Sequence, residues 1–398
     1  MKLWDPEVTR KKFGLELTAS QIEEIHRRFW PLKPSELWAD GVFEGGGVLG
    51  TAFLGALRCC EDLGLRWMNL AGTSAGAITS ALLAAGYSID AIEDIFGCLD
   101  FNSFLRDPSD PVFLLNDPKN DLDPERLLES VGILSIVGKL GKYSSAPFYN
   151  WLSGLLTPRG IIRFEDIREK GRQLKIIAAD ISRGQMIVLP DSLEQEPYAA
   201  AVEVDDANQT ERATMAQTFE VAKAVRLSMS IPVVFEPETL GDSTIVDGGI
   251  SSNFPLWLYD VPSGVQPRYP TFGFRLGYDG TNKIESAVGV ALGLISTMRY
   301  GHDRFYLQEK DFGRVVHIDL SNVETTSTHF RLTNDEKDEL YRRGYDSTRQ
   351  FFLNHWCWKE HLRLRGFKTD PNGKTSLLPP EEVESPPRWN TDLRSKSQ

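Results

Sequence analysis

Apolar and polar positions along this chain follow two periods, and together they predict alternating strands and helices. Short runs rich in β-branched and other apolar residues end at glycines, and segments with apolar positions three or four residues apart come after them. The first such unit joins a strand at Trp38–Phe43 to a buried helix that includes Ala52. The second joins a strand at residues 65–71 to a helix that starts near Ala75. This order of elements predicts an α/β fold.

The same pattern divides the chain into four parts. The predicted parts are an N-terminal helical arm (1–38), a core domain (39–320), a helical C-terminal extension (321–367) and a proline-rich tail (368–398) that is expected to be loosely held. The arm carries an amphipathic stretch at Thr18–Ile25, with Thr18 or Ser20 as its N-cap. Residues 101–146 form an irregular insertion that contains several prolines. A lid over a binding site and a plain surface insertion both fit this segment.

After the insertion the pattern returns to short strands and helices. Two strand-like runs, 174–179 and 186–189, are separated by a short and mostly polar segment, which predicts a hairpin. The later elements predicted in the core are a strand (271–276), a long helix (287–307) and a final strand (315–318).

The amino-acid composition limits the classes of function that the chain can have. With 398 residues, 41% of them hydrophobic, the chain is long enough to bury a large core. The formal net charge of -12 argues against nucleic acid as a partner, and contact with an anionic membrane would need a local basic patch. The cysteines show no metal-binding spacing, and the adjacent Cys59 and Cys60 are expected to fill the core in reduced form. Because the sequence shows no signal peptide and no apolar run of about 20 residues, the expected location is the cytoplasm, with peripheral membrane contact.

The sequence Gly72-Thr73-Ser74-Ala75-Gly76 lies between the second predicted strand and its helix. A Gly-x-Ser-x-Gly run in that position is typical of a nucleophile elbow, a sharp turn that holds a serine hydroxyl clear of the sheet. The glycines keep Cβ atoms out of the tight approach around the serine, and the helix start offers unpaired N–H groups to an anionic intermediate. A plain strand-to-helix turn with a capping serine is the alternative for a pentapeptide of this kind.

A glycine-rich turn, Glu44-Gly45-Gly46-Gly47-Val48-Leu49-Gly50, follows the first predicted strand. Gly45, Gly47 and Gly50 satisfy the G-x-G-x-x-G spacing of dinucleotide-binding proteins. Such a site also needs an acidic residue about 20 positions later, where Leu70 and Ala71 stand. The favoured hypothesis is that these glycines point backbone N–H groups into a cavity and stabilise the oxyanion of an acyl-transfer intermediate.

An aspartate, Asp247, ends a strand rich in β-branched residues and is followed by Gly248 and Gly249. The two glycines would let the chain turn away and leave the carboxylate facing a cavity. Taken alone, an Asp-Gly pair at such a place is more often the turn of a β-hairpin.

Four segments stand in the order and rough spacing of the patatin-like phospholipases: the glycine turn, the Gly-x-Ser-x-Gly motif, Ser230–Phe235 and Asp247-Gly248-Gly249. The chain resembles this family over about residues 39–320. The resemblance implies a three-layer α/β/α fold with a central, mainly parallel sheet. It also implies ester hydrolysis by a Ser-Asp dyad joined by a direct hydrogen bond, without histidine, metal or cofactor. The residues that the resemblance assigns are Ser74 as nucleophile, Asp247 as base, the N–H groups of Gly46 and Gly47 with Gly45 nearby as oxyanion hole, and Gly50, Gly72, Gly76, Gly248 and Gly249 as motif glycines.

One position departs from the family pattern, because Leu49 stands where members usually carry arginine or lysine. The backbone donors survive that change, so hydrolysis is still expected and Leu49→Arg is expected to be tolerated. The predicted function is a lipid acyl hydrolase of the phospholipase A or lysophospholipase type, with phospholipids, lysophospholipids and neutral acyl esters all open as substrates. The alternative is a patatin-fold binding or regulatory protein with weak or conditional activity.

Two further hypotheses concern residues that follow Asp247. A conventional triad needs a histidine after the aspartate in chain order, and none of those present lies in a recognisable loop motif. The histidines in that order are His302, His317, His329, His355 and His361. Trp356 and Trp358 stand beside several lysines and arginines, a composition that suits the membrane–water boundary. The alternative for these tryptophans is packing of the extension onto the core.

Overall fold

A mixed β-sheet forms the centre of the protein. This computed structural model describes residues 2–105, 141–201, 216–262, 264–277, 313–323 and 325–377, together with isolated positions between 293 and 311. The described strands are β1 (Trp38–Phe43), β2 (Arg66–Thr73), β3 (Gly141–Tyr143), β4 (Gln173–Asp180), β5 (Gln185–Leu189), β6 (Val233–Phe235), β7 (Glu238–Leu240), β8 (Ser243–Asp247), β9 (Thr271–Gly277), β10 (Val315–Asp319), β11 (Phe367–Thr369) and β12 (Thr375–Leu377). The described α-helices are α1 (Pro6–Phe13), α2 (Ala19–Arg28), α3 (Ala52–Asp62), α4 (Ala75–Ala84), α5 (Ile89–Cys98), α6 (Ala146–Leu156), α7 (Phe164–Glu169), α8 (Val221–Ser228), α9 (Asn334–Gln350) and α10 (Trp358–Arg363).

Five parallel strands, in the order β10-β9-β1-β2-β4, make up the main part of the sheet. Strand β5 pairs with β4 from Ile176 to Asp180 and therefore occupies one edge of β4 over that length. Because a strand has only two edges for pairing, β2 and β8 must share the other edge. They lie end to end along it, since β2 pairs with β4 as far as Ile177 and β8 pairs antiparallel from Ala178 onwards. Strand β7 continues the sheet beside β8.

Both faces of the sheet carry apolar side chains, as the near-continuous apolar strands require. All residues of β1 except the first are buried. On one face a large hydrophobic core includes Phe43, which stacks on Phe274 with 4.9 Å between ring centroids. On the other face Val42 and Ala71 pack in a smaller cluster with Phe254. A mostly parallel sheet flanked by helices agrees with the predicted α/β/α fold.

The N-terminal arm is helical and packs on the core, as predicted. Helix α2 has Thr18 as its N-cap: the Thr18 hydroxyl accepts from the N–H of Gln21, and the Gln21 side chain accepts from the N–H of Thr18. Ile25 of this helix and Phe29 just after it are both buried. Helix α1 is an addition to the predicted arm, and its N-cap is Asp5.

The C-terminal helix α9 is part of the core. It approaches helix α3 so closely that a Cβ on Gly344 would lie 1.8 Å from the carbonyl oxygen of Ala52. A buried polar network crosses the same contact, because Arg58 of α3 pairs with Glu93 of α5 and Tyr341 of α9 donates to Glu93 at 2.6 Å. With charge and hydrogen bonds both satisfied, this network fixes the relative positions of three helices.

The C-terminal tail needs one correction. It was expected to be loosely held from residue 368, but Phe367–Thr369 and Thr375–Leu377 pair as an antiparallel hairpin. The turn between them has its own signal, since the Asp370 side chain accepts from two backbone N–H groups of the turn and Gly373 has a φ of +86°. Residues 378–398, the insertion at 106–140 and most of the helix predicted at 287–307 lie outside the described residues.

The hairpin predicted at 174–189 is confirmed as β4 and β5.

Among the helices in the described part of the chain, none is long and apolar enough to cross a membrane.

Candidate active site

Ser74 lies on a strained turn between β2 and α4. Its φ of 52° and ψ of -119° fall in a region that residues other than glycine rarely adopt. The turn is tight because Gly72 and Gly76 face each other across it: a Cβ on Gly72 would lie 2.3 Å from the carbonyl carbon of Gly76. The serine residue is only 4% exposed. A strained serine between a central strand and a buried helix has the geometry of a nucleophile elbow.

Asp247 lies near Ser74 because β2 and β8 meet end to end on one edge of β4. Thr73, the last residue of β2, is opposite Ile177, and Asp247, the last residue of β8, is opposite Ala178. Successive residues of a strand rise by about 3.3 Å, so the two strand ends are about one residue apart along β4. Two side chains that are distant in sequence therefore come to the same point of the sheet.

The Asp247 carboxylate is held by its own turn. Gly248 and Gly249 form a short 3₁₀ turn after it, and the N–H of Gly249 donates to Asp247 Oδ1 at 2.7 Å. Among the described residues, Ser74 Oγ donates to no acceptor, so the expected direct hydrogen bond between serine and aspartate is not made in this conformation. Catalytic hydrogen bonds are often long or poorly aligned before substrate binds and tighten only in the substrate complex.

Two serines, one at the end of helix α8 and one just after it, hold the backbones of Ser74 and Asp247 in position. The sequence motifs do not predict this role. Ser228 Oγ accepts from the N–H of Ser74 at 2.9 Å. The carbonyl oxygen of Ser230 accepts from the N–H of Asp247 at 2.9 Å, and its hydroxyl donates to the carbonyl oxygen of Arg226 at 2.8 Å. The signal for this role was the pair of small polar residues at the helix end, directly before the Ile-Pro pair of the family motif.

A buried carboxylate anchors the glycine turn. Glu44 is 3% exposed, and it accepts from the N–H of Leu276 at 2.5 Å and from the Asn253 side-chain amide at 3.1 Å. Arg275 Nε lies 3.8 Å from the same carboxylate. Asn253 also donates its amide to the carbonyl oxygen of Gly45 at 3.0 Å, and its own carbonyl oxygen accepts from the N–H of Gly45. The turn is thereby tied both to β9 and to the segment that follows Asp247.

Gly46 and Gly47 supply the turn with two unsatisfied donors. Within the described part of the chain their N–H groups meet no acceptor, whereas the next N–H, of Val48, donates to the carbonyl oxygen of Ser327 at 3.1 Å. Gly47 has a φ of +54°, and a Cβ on it would lie 1.9 Å from that same oxygen. Only glycine fits at this position.

The glycine turn packs directly on the elbow, since a Cβ on Gly50 would lie 2.8 Å from the Cβ of Ala75. Leu49, the residue before Gly50, is 3% exposed and belongs to the large hydrophobic core. An arginine at Leu49 would have to bury its charge, at a cost of several kcal/mol unless a partner is found. The burial of Leu49 therefore argues against the expectation that Leu49→Arg is tolerated.

The positions of the histidines weaken the hypothesis of a triad. His317 lies on the edge strand β10, three strands from β2 and on the side away from β8. His361 is buried in α10, where burial holds the pKa of its imidazole well below the ordinary value. His355 is exposed at the end of a π-helical segment, and His302 lies outside the described residues. His329 belongs to the loop before α9 that contacts the glycine turn, so it is the histidine to test as an alternative base.

Trp356 and Trp358 are core residues, and the membrane hypothesis is wrong for them. Trp356 is 1% exposed, with its ring centroid 4.2 Å from that of Phe29 and 5.0 Å from that of Phe272. Trp358 is 3% exposed and stacks on His361 at 5.3 Å. Rings packed in this way cannot enter a bilayer unless the extension first unfolds.

A serine on a strained turn after a central strand, with a glycine turn beside it and an aspartate at the adjoining strand end, is an arrangement typical of serine acyl hydrolases. The model of the patatin-like phospholipase family matches residues 41–259, more than half of the chain. The chain therefore belongs to the patatin-like phospholipases, and at the level of the family it is a lipid hydrolase.

Similarity in sequence extends beyond residues 41–259. The uncharacterized protein YqhO of Bacillus subtilis is 33% identical over 330 residues, which cover 81% of this chain and 100% of that protein. The uncharacterized protein R571 of Acanthamoeba polyphaga mimivirus is 23% identical over 315 residues, covering 77% and 91% of the two chains. Among solved structures, VipD from Legionella pneumophila has a TM-score of 0.46 at 18% identity, covering 80% of this chain and 67% of VipD. The heterodimeric ExoU-SpcU complex from the type III secretion system of Pseudomonas aeruginosa gives a TM-score of 0.37 at 19% identity, covering 79% and 51%.

Proposed function

We propose that the protein cleaves carboxylic esters of membrane lipids, as a phospholipase A or lysophospholipase, with Ser74 as nucleophile and Asp247 as base. Ser74 Oγ attacks the ester carbonyl carbon while Asp247 takes the hydroxyl proton. The tetrahedral intermediate expels the alkoxide of the remaining lipid, which receives that proton from Asp247, and an acyl-serine is left. Water then attacks the acyl-serine by the same route, releasing the fatty acid and returning a proton to Ser74.

The observation that carries this proposal is the meeting of β2 and β8 on one edge of β4. It brings the strained Ser74 and the buried Asp247 to neighbouring positions at the strand ends. Direct proton transfer from Ser74 to Asp247 is the route proposed, because the ends of β2 and β8 are only about one residue rise apart along β4.

The glycine turn supplies the second requirement, stabilisation of the oxyanion. The N–H groups of Gly46 and Gly47, with Gly45 held beside them by Asn253, are the proposed donors. The contact between Gly50 and Ala75 keeps this turn against the elbow, and the start of helix α4 adds its positive dipole end. Donors fixed in advance in this way stabilise developing charge without reorganisation during the reaction.

A fluorophosphonate probe with mass-spectrometric localisation tests whether Ser74 is activated. Labelling should occur at Ser74 and disappear in Ser74→Ala, and it should fall sharply in Asp247→Asn. Ser80→Ala is the matched control, because Ser80 is a fully buried serine of helix α4 whose hydroxyl only donates to the carbonyl oxygen of Ala71. Hydrolysis of mixed phospholipid and lysophospholipid vesicles, read by mass spectrometry, assigns the substrate.

Two outcomes would contradict the proposed dyad. If Asp247→Asn kept near-full labelling while His329→Ala lost it, a histidine would be the base. If lipid bound to the protein but no serine were labelled and no lipid were hydrolysed, the protein would be a patatin-fold binding or regulatory protein.

A further inference from the structure

A cavity of about 320 Å³ lies between the end of helix α5 and the start of helix α9. Residues 99–102 form one wall. The other wall and the rest of the lining are formed by Phe330, Arg331, Leu332, Asn334, Lys337 and Leu3. The proposed catalytic residues do not line it. This cavity is therefore a separate feature of the molecule, and the hydrolase proposal assigns it no role.

Lys337 is the unusual residue of this cavity. It is 6% exposed, and it forms no ion pair and no hydrogen bond through its ammonium with any described residue. Its Nζ lies 5.9 Å from the ring centroid of Phe101, which lines the same cavity. Enclosure of the side chain disfavours the charged form and lowers the pKa of Lys337. An anion bound in the cavity would favour the charged form and give the ammonium a partner.

The other groups around the cavity also favour an anion. Arg331 lines it two residues before Thr333, the N-cap of helix α9. Asn102 and Asn334 add side-chain amides to its lining. Helix α9 begins at Asn334 and has 17 residues, so its N-terminal end favours negative charge.

One carboxylate opposes this preference. Asp100 lines the cavity, and its charge raises the pKa of Lys337, although the two groups form no ion pair. Asp100 Oδ1 already accepts from the N–H of Asn102 at 3.0 Å. The acidic residues in the first turn of α9, Asp335 and Glu336, do not line the cavity. Lys337 and Arg331 are the cationic residues of the lining, and Asp100 is its acidic residue.

We propose that this cavity binds a phosphate group, with Lys337 as its central contact. A phosphate oxygen can take the hydrogen bonds that the ammonium lacks, and the side-chain amides of Asn102 and Asn334 in the lining can donate to other oxygens. The phosphate belongs either to a small soluble compound or to the head group of a lipid, and the recognising chemistry is the same for both. The proposal does not depend on hydrolysis at Ser74.

Isothermal titration of the full chain with inorganic phosphate and with glycerol 3-phosphate measures this binding. Lys337→Met keeps the apolar stem and removes the charge, and it should weaken binding at least about tenfold, the loss of one charge-assisted hydrogen bond. Lys12→Met is the matched control, because Lys12 pairs with Asp338 at 2.8 Å near the same end of α9 but does not line the cavity. Asp100→Asn removes the opposing charge and should tighten binding.

Thermal unfolding serves as the control that Lys337→Met is still folded. Because Lys337→Met removes a buried, unpaired charge, its midpoint without phosphate should be no lower than that of the native protein. Added phosphate should raise the midpoint of the native protein and of Lys12→Met, and leave that of Lys337→Met unchanged. Native-like phosphate affinity in Lys337→Met would overturn the proposal, and so would an equal loss of affinity in Lys12→Met.

Vesicles distinguish the two sources of phosphate. The Ser74→Ala protein is used with phosphatidic acid in phosphatidylcholine, and with phosphatidylcholine alone, so that lipid is not consumed. Flotation with phosphatidic acid that depends on Lys337 and is competed by free phosphate supports the site and assigns it to a lipid head group. Binding of inorganic phosphate without flotation supports the site and assigns it to a soluble compound.

Discussion

Replacement of Asp40 by asparagine should stabilise the protein at neutral and alkaline pH. Asp40 lies near the start of β1 and is 7% exposed. Burial raises the pKa of its carboxyl from 3.8 to about 7, and the hydrogen bond from the N–H of Asn69 at 3.1 Å only partly opposes that rise. An asparagine can accept the same hydrogen bond but has no charge to bury, so the cost of ionisation disappears.

The sign and size of the effect follow from proton linkage. The folded protein keeps the Asp40 proton up to about pH 7, whereas the unfolded chain loses it near pH 4. The folded state therefore binds more protons in this window, and stability falls as the pH rises through it. A shift of about 3 pH units corresponds to a loss of about 4 kcal/mol, complete above about pH 7 and absent below the unfolded pKa. With an unfolding entropy of about 2.1 cal/mol/K per residue, Asp40→Asn should raise the midpoint at pH 8 by about 5 °C.

Thermal unfolding of native protein, Asp40→Asn and Asp242→Asn from pH 4 to pH 8 tests this reasoning. Asp242 is an exposed aspartate in the turn between β7 and β8, so its replacement should leave the profile unchanged. The difference between Asp40→Asn and native protein should be small at pH 4 and grow towards pH 7. A constant difference across this range, or an Asp40→Asn protein that is less stable at pH 8, would refute the raised pKa as the cause.

Substitutions at three other places in the fold have expected outcomes. Gly47→Ala should lower esterase activity by about 10²- to 10³-fold, because its Cβ would lie 1.9 Å from the Ser327 carbonyl oxygen. Gly46→Ala should have a milder effect, because its Cβ would meet only a terminal methyl group of a leucine. The kcat with a soluble ester measures both effects. Trp356→Ala should cost about 3–5 kcal/mol in urea unfolding and leave vesicle binding per folded molecule unchanged, and an unchanged unfolding midpoint would contradict its place in the core. Val233→Gly should leave the stability nearly unchanged, because Val233 has a φ of 74° and relief of about 1–2 kcal/mol of strain offsets its lost contacts. Val234→Gly, at the buried neighbouring residue, should lower the stability more in the same urea titration.

Elements with signals in a few consecutive residues were predictable from the sequence. Strand β1 has the predicted bounds, because its buried residues lead directly into a run of glycines. Helix α2 begins at Ala19, directly after Thr18, whose hydroxyl forms a capping box with Gln21. Helix α1 was not predictable in the same way, because its packing partner is distant in sequence: Thr9 of α1 donates to Asp338 of the C-terminal helix.

The candidate site likewise has features that the local sequence predicts and features that depend on distant contacts. The local sequence placed Ser74 on a strand-to-helix turn between two glycines and Asp247 at a strand end, and the structure agrees with both positions. The sequence could not show that the two strands meet on one edge of β4, because that depends on β5 occupying the other edge. Neither could it show that Ser228 holds the backbone of Ser74.

Local sequence therefore indicated most of the strands, helices and tight turns, because backbone sterics and hydrophobic periodicity act within a few residues. Only the tertiary structure decided which surfaces cover one another. The tryptophans at 356 and 358 have the composition of a membrane anchor, yet they lie in the core because Phe29 and Phe272 supply apolar surface for Trp356 to pack on. Lys337 has the sequence context of a solvated helix residue, but the approach of residues 99–102 encloses it. Burial is a property of contacts between distant segments, and a local pattern carries no information about which partner will be there.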